Sequence, residues 1–167
     1  MRLNGWKASI ILTAVLLLAG CSPSFEEEQK KAGEAAEAEM NSKQEKANSG
    51  NKEIEYHLPF EVELEKETPS NILLKNGSKT YILFYNPHEN AQSRIVYEST
   101  LEQQPDWDVK QTFKKEEKFG YLLIKRLEDD AYQVVTGIGG VKVTTETKNL
   151  QSDAALMMNI ANSVKVK

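Results

Sequence analysis

From Thr80 to Thr145 the chain is a succession of short runs rich in β-branched and aromatic residues, divided by mostly brief polar or glycine breaks. This spacing constrains the fold more than any other feature. Parallel strands need crossovers of a dozen or more residues, so the brief breaks predict antiparallel pairing. Thr80–Tyr85 follows the turn pair Asn76-Gly77, and Phe119–Leu127 is centred on Leu122-Leu123-Ile124. Tyr132–Thr136 and Val141–Thr145 flank Gly137-Ile138-Gly139-Gly140, where Gly-Gly suits a two-residue hairpin turn. Two shorter segments complete this run: Arg94–Tyr97, and a stretch in which Trp107, Val109 and Phe113 share one parity. Upstream, Phe60, Val62 and Leu64 alternate with Glu61, Glu63 and Glu65, the period of a strand with one buried face. Pro59 opens it, where a missing N–H does least harm.

The last segment changes period. Ser152 or Asp153 is placed to cap a helix through Ala154, Met157, Ile160, Ala161 and Val164, which form one apolar stripe, with Asn159 and Asn162 on the outer side. The fold class that follows is α+β. It is a twisted antiparallel sheet of about six or seven strands with a C-terminal helix packed on one face.

The N-terminus is written in a different style. Arg2 and Lys7 precede a nine-residue stretch, Ile10–Leu18, broken only by Thr13. That is signal-peptide anatomy, shorter than the roughly 20 residues of a spanning helix. The junction Leu18-Ala19-Gly20-Cys21 resembles a bacterial lipobox. The resemblance implies that Cys21 is diacylated and becomes the first residue of the mature chain. Two acyl chains hold a protein stably where one binds reversibly. Cys21 is the only cysteine, so the chain has no internal disulfide and no cysteine-based zinc site. The lysine- and glutamate-rich mature sequence points to a Gram-positive source and the extracytoplasmic face of the cell membrane. The chain is acidic, at −4 overall, and losing Arg2 and Lys7 makes it more so. It has no electrostatic reason to bind nucleic acid, and the lipid, not a basic patch, is its expected hold on the membrane.

Three segments follow from this reading: a signal peptide over 1–20, the lipidated cysteine and a disordered charged tether over 21–52, and one α+β domain over 53–167. The tether contains Glu26–Lys30 and Glu27–Lys31 pairs at i,i+4 but no apolar heptad. As a coil it would span roughly 30 Å. The domain resembles small lipoprotein domains of unknown function in Gram-positive bacteria. It is also similar to the extracytoplasmic β-rich domains of anti-sigma regulators and to PsbP-like sandwiches. The residues that carry this are Tyr81–Tyr85, the run Tyr132–Val143 and Ile160–Val164. The resemblance implies a pattern of packing and no catalytic residue. The N-terminal helix usual in PsbP-like folds is not legible in the residues.

No nucleotide-binding glycine motif and no nucleophile elbow occur. Gly137, Gly139 and Gly140 would offer backbone N–H groups to an anion, but flanking strands favour a plain hairpin. His57 beside Tyr56 reads as a half-buried or edge residue, and His88 as a solvated loop residue. Asp106 and Asp108 flank Trp107, and Glu128-Asp129-Asp130 crowds three acids into a turn; neither has the spacing of a calcium loop. Glu61, Glu63 and Glu65 read as a wet edge that deters strand addition. Lys110, Lys114, Lys115 and Lys118 form a basic patch of the kind that touches anionic wall polymer or headgroups, though Phe113, Glu116 and Glu117 break it and favour a plain solvated surface. Trp107 reads as core or rim. The expectation is a non-catalytic envelope module, anchored through Cys21, that binds a protein or wall polymer, with no cofactor and no metal. The alternative is a small-ligand-binding lipoprotein with a pocket between sheet and helix.

Overall fold

A computed structural model describes residues 23–167, so the signal segment and Cys21 lie outside the described residues. The elements in chain order are α1 (Phe25–Asn41), β1 (Ser49–Gly50), β2 (Ile54–Tyr56), β3 (Glu63–Thr68), β4 (Asn71–Asn76), β5 (Lys79–Tyr85) and α2 (Ile95–Gln103). Then come β6 (Val109–Lys115), β7 (Lys118–Arg126), β8 (Tyr132–Ile138), β9 (Val141–Thr147), α3 (Leu150–Ser163) and β10 (Lys165–Val166). A seven-stranded antiparallel sheet runs β3-β4-β5-β9-β8-β7-β6, with α3 packed against β8 and β9 as the α+β reading expects. A small sheet, β1-β2-β10, ties the segment before β3 to the C-terminus.

The main sheet buries one face under α1, α3 and β2. Ile72, Leu83, Leu122, Ile124, Val134 and Val143 point into this core and are fully buried. Helix α3 contributes Ala154, Met157 and Ile160 at zero exposure, so its apolar stripe fills the space against the sheet. The opposite face carries a smaller cluster, in which Tyr97 and Leu101 of α2 cover Phe119, Tyr121, Leu123 and Val135.

Several segments differ from the sequence reading. Residues 25–41 are not a tether. They form a helix capped by Ser24, whose side chain accepts from the Glu27 N–H while Glu27 reaches back to the Ser24 N–H, a complete capping box. Ala32, Gly33, Ala36 and Met40 recur at helical spacing and are buried. The stripe is hard to see because its residues are small, yet small residues let the helix approach the sheet closely. A Cβ on Gly33 would lie 2.3 Å from the Gln111 Oε1 atom, and one on Gly120 would lie 2.2 Å from the Met40 sulfur.

Arg94–Tyr97 is not a strand either, because the chain turns helical at Ile95. The β-branched pair Ile95-Val96 favours strand, but burial of Val96, Tyr97 and Thr100 along one helical face overrides that preference. The missing strand is β4, whose Ile72 and Leu74 are buried between β3 and β5. The alternation from Phe60 also fails: Phe60 sits fully exposed in a turn, and the strand begins at Glu63. In α3 the cap position is Asn149, and Asp153 is buried one turn in. Asn159 and Asn162 do not face solvent, since α1 lies there. Asn159 donates to the Glu39 carboxylate at 3.0 Å and Asn162 to the Glu39 carbonyl at 2.9 Å.

Candidate functional site

Strand register shows what the second face of the sheet presents. One row crosses all seven strands: Lys66, Leu73, Ile82, Thr144, Val135, Leu123 and Lys110. The next row places Asn71, Phe84, Lys142, Gly137, Tyr121 and Thr112 side by side. Helix α2 covers the β7–β8 half of these rows. Over β4 and β5 no described element lies on top. Ile82 is 42% exposed there, with Leu73 and Phe84 half-buried beside it.

Lysines border this apolar strip. The Lys142 ammonium lies 5.4 Å from the centre of the Phe84 ring and donates to the Thr100 hydroxyl at 3.2 Å. Burial holds its pKa below the ordinary lysine range. Lys66 stands across from Leu73, and Lys75 pairs with Glu65 at 3.2 Å. Glu63 and Glu146 occupy only the row nearest the β4–β5 turn. The edge strand β3 does not offer itself for pairing. It is exposed along almost its whole length, charged, and bulged between Leu64 and Lys66, three devices that deter strand addition.

The other sequence candidates resolve into structural roles. The Gly139-Gly140 pair makes the β8–β9 hairpin, with Gly139 at φ +55°. Its N–H groups are spent on the Phe119 carbonyl (2.9 Å) and the Asn90 carbonyl (3.3 Å), leaving no anion cradle. Asp106 pairs with Lys125 at 2.5 Å, which pulls its carboxyl below the usual range. Asp108 accepts from the Arg126 backbone N–H at 2.7 Å. Both acids therefore grip the end of β7. Glu128, Asp129 and Asp130 are exposed in the β7–β8 turn, the last two with positive φ. Among the described residues no group of three or more His, Cys, Asp or Glu is placed to hold a metal.

His88 is exposed, and His57 is half-buried with its Nδ1 3.0 Å from the Lys46 carbonyl. The structure does not bring them to a common nucleophile. Trp107 is buried in the α2 cluster just before β6, and its Nε1–H has no partner among the described residues. The basic patch divides. Lys110 and Lys114 lie on the α2 face, while Lys115 and Lys118 lie directly opposite each other on the α1 face.

Sequence reasoning missed the most connected polar group. Asp153 lies buried under the first turn of α3 and accepts from the Lys79 ammonium, the Tyr81 hydroxyl (2.7 Å) and the Thr147 hydroxyl. Burial, reinforced by this carboxylate, pushes the Tyr81 phenol well above its ordinary pKa. Nothing but an acid one turn inside an apolar stripe could have flagged it. Its partners are satisfied and it faces no cavity, so its role is to lock α3 onto β5 and β9.

The geometry defines an α+β domain with helices on both sides of one sheet and half of one face left open. No family model, no curated protein and no solved structure matches this chain.

Proposed function

We propose that the chain is a non-catalytic module of a Gram-positive cell envelope, lipid-anchored through Cys21 at the outer face of the membrane, that docks an envelope protein on the open half of its sheet. The observation that carries this is the strip of Leu73, Ile82 and Phe84, spread over two adjacent rows, with no described element over it. An exposed apolar strip bordered by polar groups is the usual mark of a binding surface. Lys66 and Lys142 beside it have no carboxylate within 4.0 Å among the described residues, whereas Lys75 is paired with Glu65. The partner that fits presents an apolar surface rimmed by carboxylates.

The test is a photo-reactive residue at position 82, cross-linked in intact cells and compared with the Cys21→Ala and Ile82→Glu variants. The expected result is one dominant adduct whose cross-linked peptide carries apolar residues flanked by Asp or Glu, lost in both variants. Equal cross-linking from a probe at Ala38, on the solvent side of α1, or an adduct that survives Ile82→Glu, overturns the reading.

A further inference from the structure

The end of the sheet where β7 begins and α1 and α3 finish holds a second feature. A cavity of about 400 Å³ is lined by four lysines, Lys43, Lys115, Lys118 and Lys165, with Glu116 as the one acid. It shares Gln44, Lys118 and Lys165 with a neighbouring cavity of about 420 Å³, whose walls include Ile138, Val141 and Ala161 and the amides of Asn86 and Asn90. That neighbour holds one further carboxylate, Glu89. Volumes of a few hundred cubic ångströms are those of small-molecule sites.

The cation arrangement is built and not incidental. Register sets Lys115 directly opposite Lys118 on the same face, and like charges so placed are destabilising. No carboxylate among the described residues lies within 4.0 Å of any of the four ammonium groups. Each of the pair is instead aimed by a neutral acceptor. Lys118 donates to the side chain of Asn162 at 2.7 Å, and Lys115 to the Asn41 carbonyl at 2.8 Å. Asn162 is itself buried and held, donating to the Glu39 carbonyl and accepting from Gln44 at 2.7 Å. Every ammonium has three donors, so Lys115 and Lys118 are fixed in place with donors to spare. Burial, and then the charge of Lys115, hold the Lys118 pKa below the ordinary lysine range, with the charge of Glu116 offsetting this only in part.

We infer that this cavity binds a small soluble phosphate ester, its phosphate between Lys115 and Lys118 and its organic part against the amide and apolar wall beyond Lys118. Lysine serves as a point charge for phosphate. An anion there would replace the Lys115–Lys118 repulsion with two attractions. The inference does not depend on lipid anchoring or on the open sheet face.

Calorimetric titration of the purified full chain with glycerol 3-phosphate and with inorganic phosphate, at about 0.1 M salt to screen loose surface attraction, tests it. The expected result is saturable one-site binding, with the ester at least as tight as the inorganic ion. Lys118→Gln, which keeps a donor for Asn162, and Lys115→Gln each weaken it about tenfold or more, the order expected for losing a charge-assisted hydrogen bond. Lys110→Gln, on the other face, leaves it unchanged. Circular dichroism confirms that each variant is folded. No saturation, an affinity unchanged from the parent chain in Lys115→Gln and Lys118→Gln, or binding to phosphatidylglycerol vesicles with none to the soluble ester overturns the inference.

Discussion

At the scale of single residues, Asp153 is where a small change has the largest structural effect. Its carboxylate is 5% exposed and meets a lysine ammonium and two hydroxyls. Removing one member of such a buried group leaves the others desolvated and unpaired. Asp153→Ala is therefore expected to cost about 3–5 kcal/mol, read as a lower urea midpoint with an unchanged slope. A loss under about 1 kcal/mol would show that the network is replaceable by water and that packing alone holds α3. The same residue shows how far a sequence carries. An aspartate at the head of an apolar stripe reads first as a helix cap, because caps are chosen by local hydrogen bonding. What makes Asp153 a core residue is Lys79, Tyr81 and Thr147, brought to it by strand pairing across more than seventy positions in the first two cases. No local pattern encodes that. The turn Gly139-Gly140, whose cause is local, is legible without any structure.

At the scale of elements, α1 is the sharpest departure and the most testable. If residues 25–41 were a solvated coil, leucine would be tolerated equally at positions 36 and 38. In the structure Ala36 has zero exposure within the core, and Ala38 faces solvent. Ala36→Leu is expected to lose about 1–3 kcal/mol by overpacking and to open α1 to proteolysis. Ala38→Leu should stay within about 0.5 kcal/mol of the parent. Identical behaviour of the two variants would restore the tether. Strands β5, β7, β8 and β9 were legible because each is a dense run of β-formers closed by a turn signal. Helix α1 was not, because a narrow stripe of Ala, Gly and one Met adds little apolar area and looks like a polar helix until its partner is known. The segment at Arg94 misleads for the reverse reason: two β-branched residues signal strand locally, while the burial that makes the segment helical comes from Tyr97 packing on Phe119 and Tyr121. The open half-face was half legible. The outward parity of Ile82 and Phe84 follows from their strand, but that α2 stops short of them depends on the helix that was misread. The lysines at 115 and 118 were noticed as a patch; their opposition across β6 and β7 needed the register.

At the scale of the whole molecule, strand directions give the domain two distinct ends. One end gathers the start of α1, the exposed Phe60, the β4–β5 turn and the acidic β7–β8 turn; Phe25 stacks on Tyr132 there at 5.8 Å, and the Arg126 guanidinium lies 4.8 Å from the Phe25 ring. Glu28 reinforces the contact by accepting from the Tyr132 hydroxyl, which raises that phenol to about 12. The other end holds the four-lysine cavity. A docked α1 changes the mechanics of an anchor at Cys21. Only residues 22–24 separate that cysteine from the helix, a reach of roughly 10–15 Å even when fully extended, against the roughly 30 Å span of a free coil. A lipid at Cys21 would therefore hold the Phe25 end close to the membrane and turn the lysine cavity outward, since strands of this length separate the ends by about 25–30 Å. Reconstituting the lipidated chain in vesicles with a headgroup quencher, and placing a fluorophore at position 129 or at position 116, measures this directly. Strong quenching at 129 and little at 116 is the expected outcome. Equal quenching at both would mean that the body tumbles on a longer leash, and that α1 lets go of the sheet once the lipid is in place.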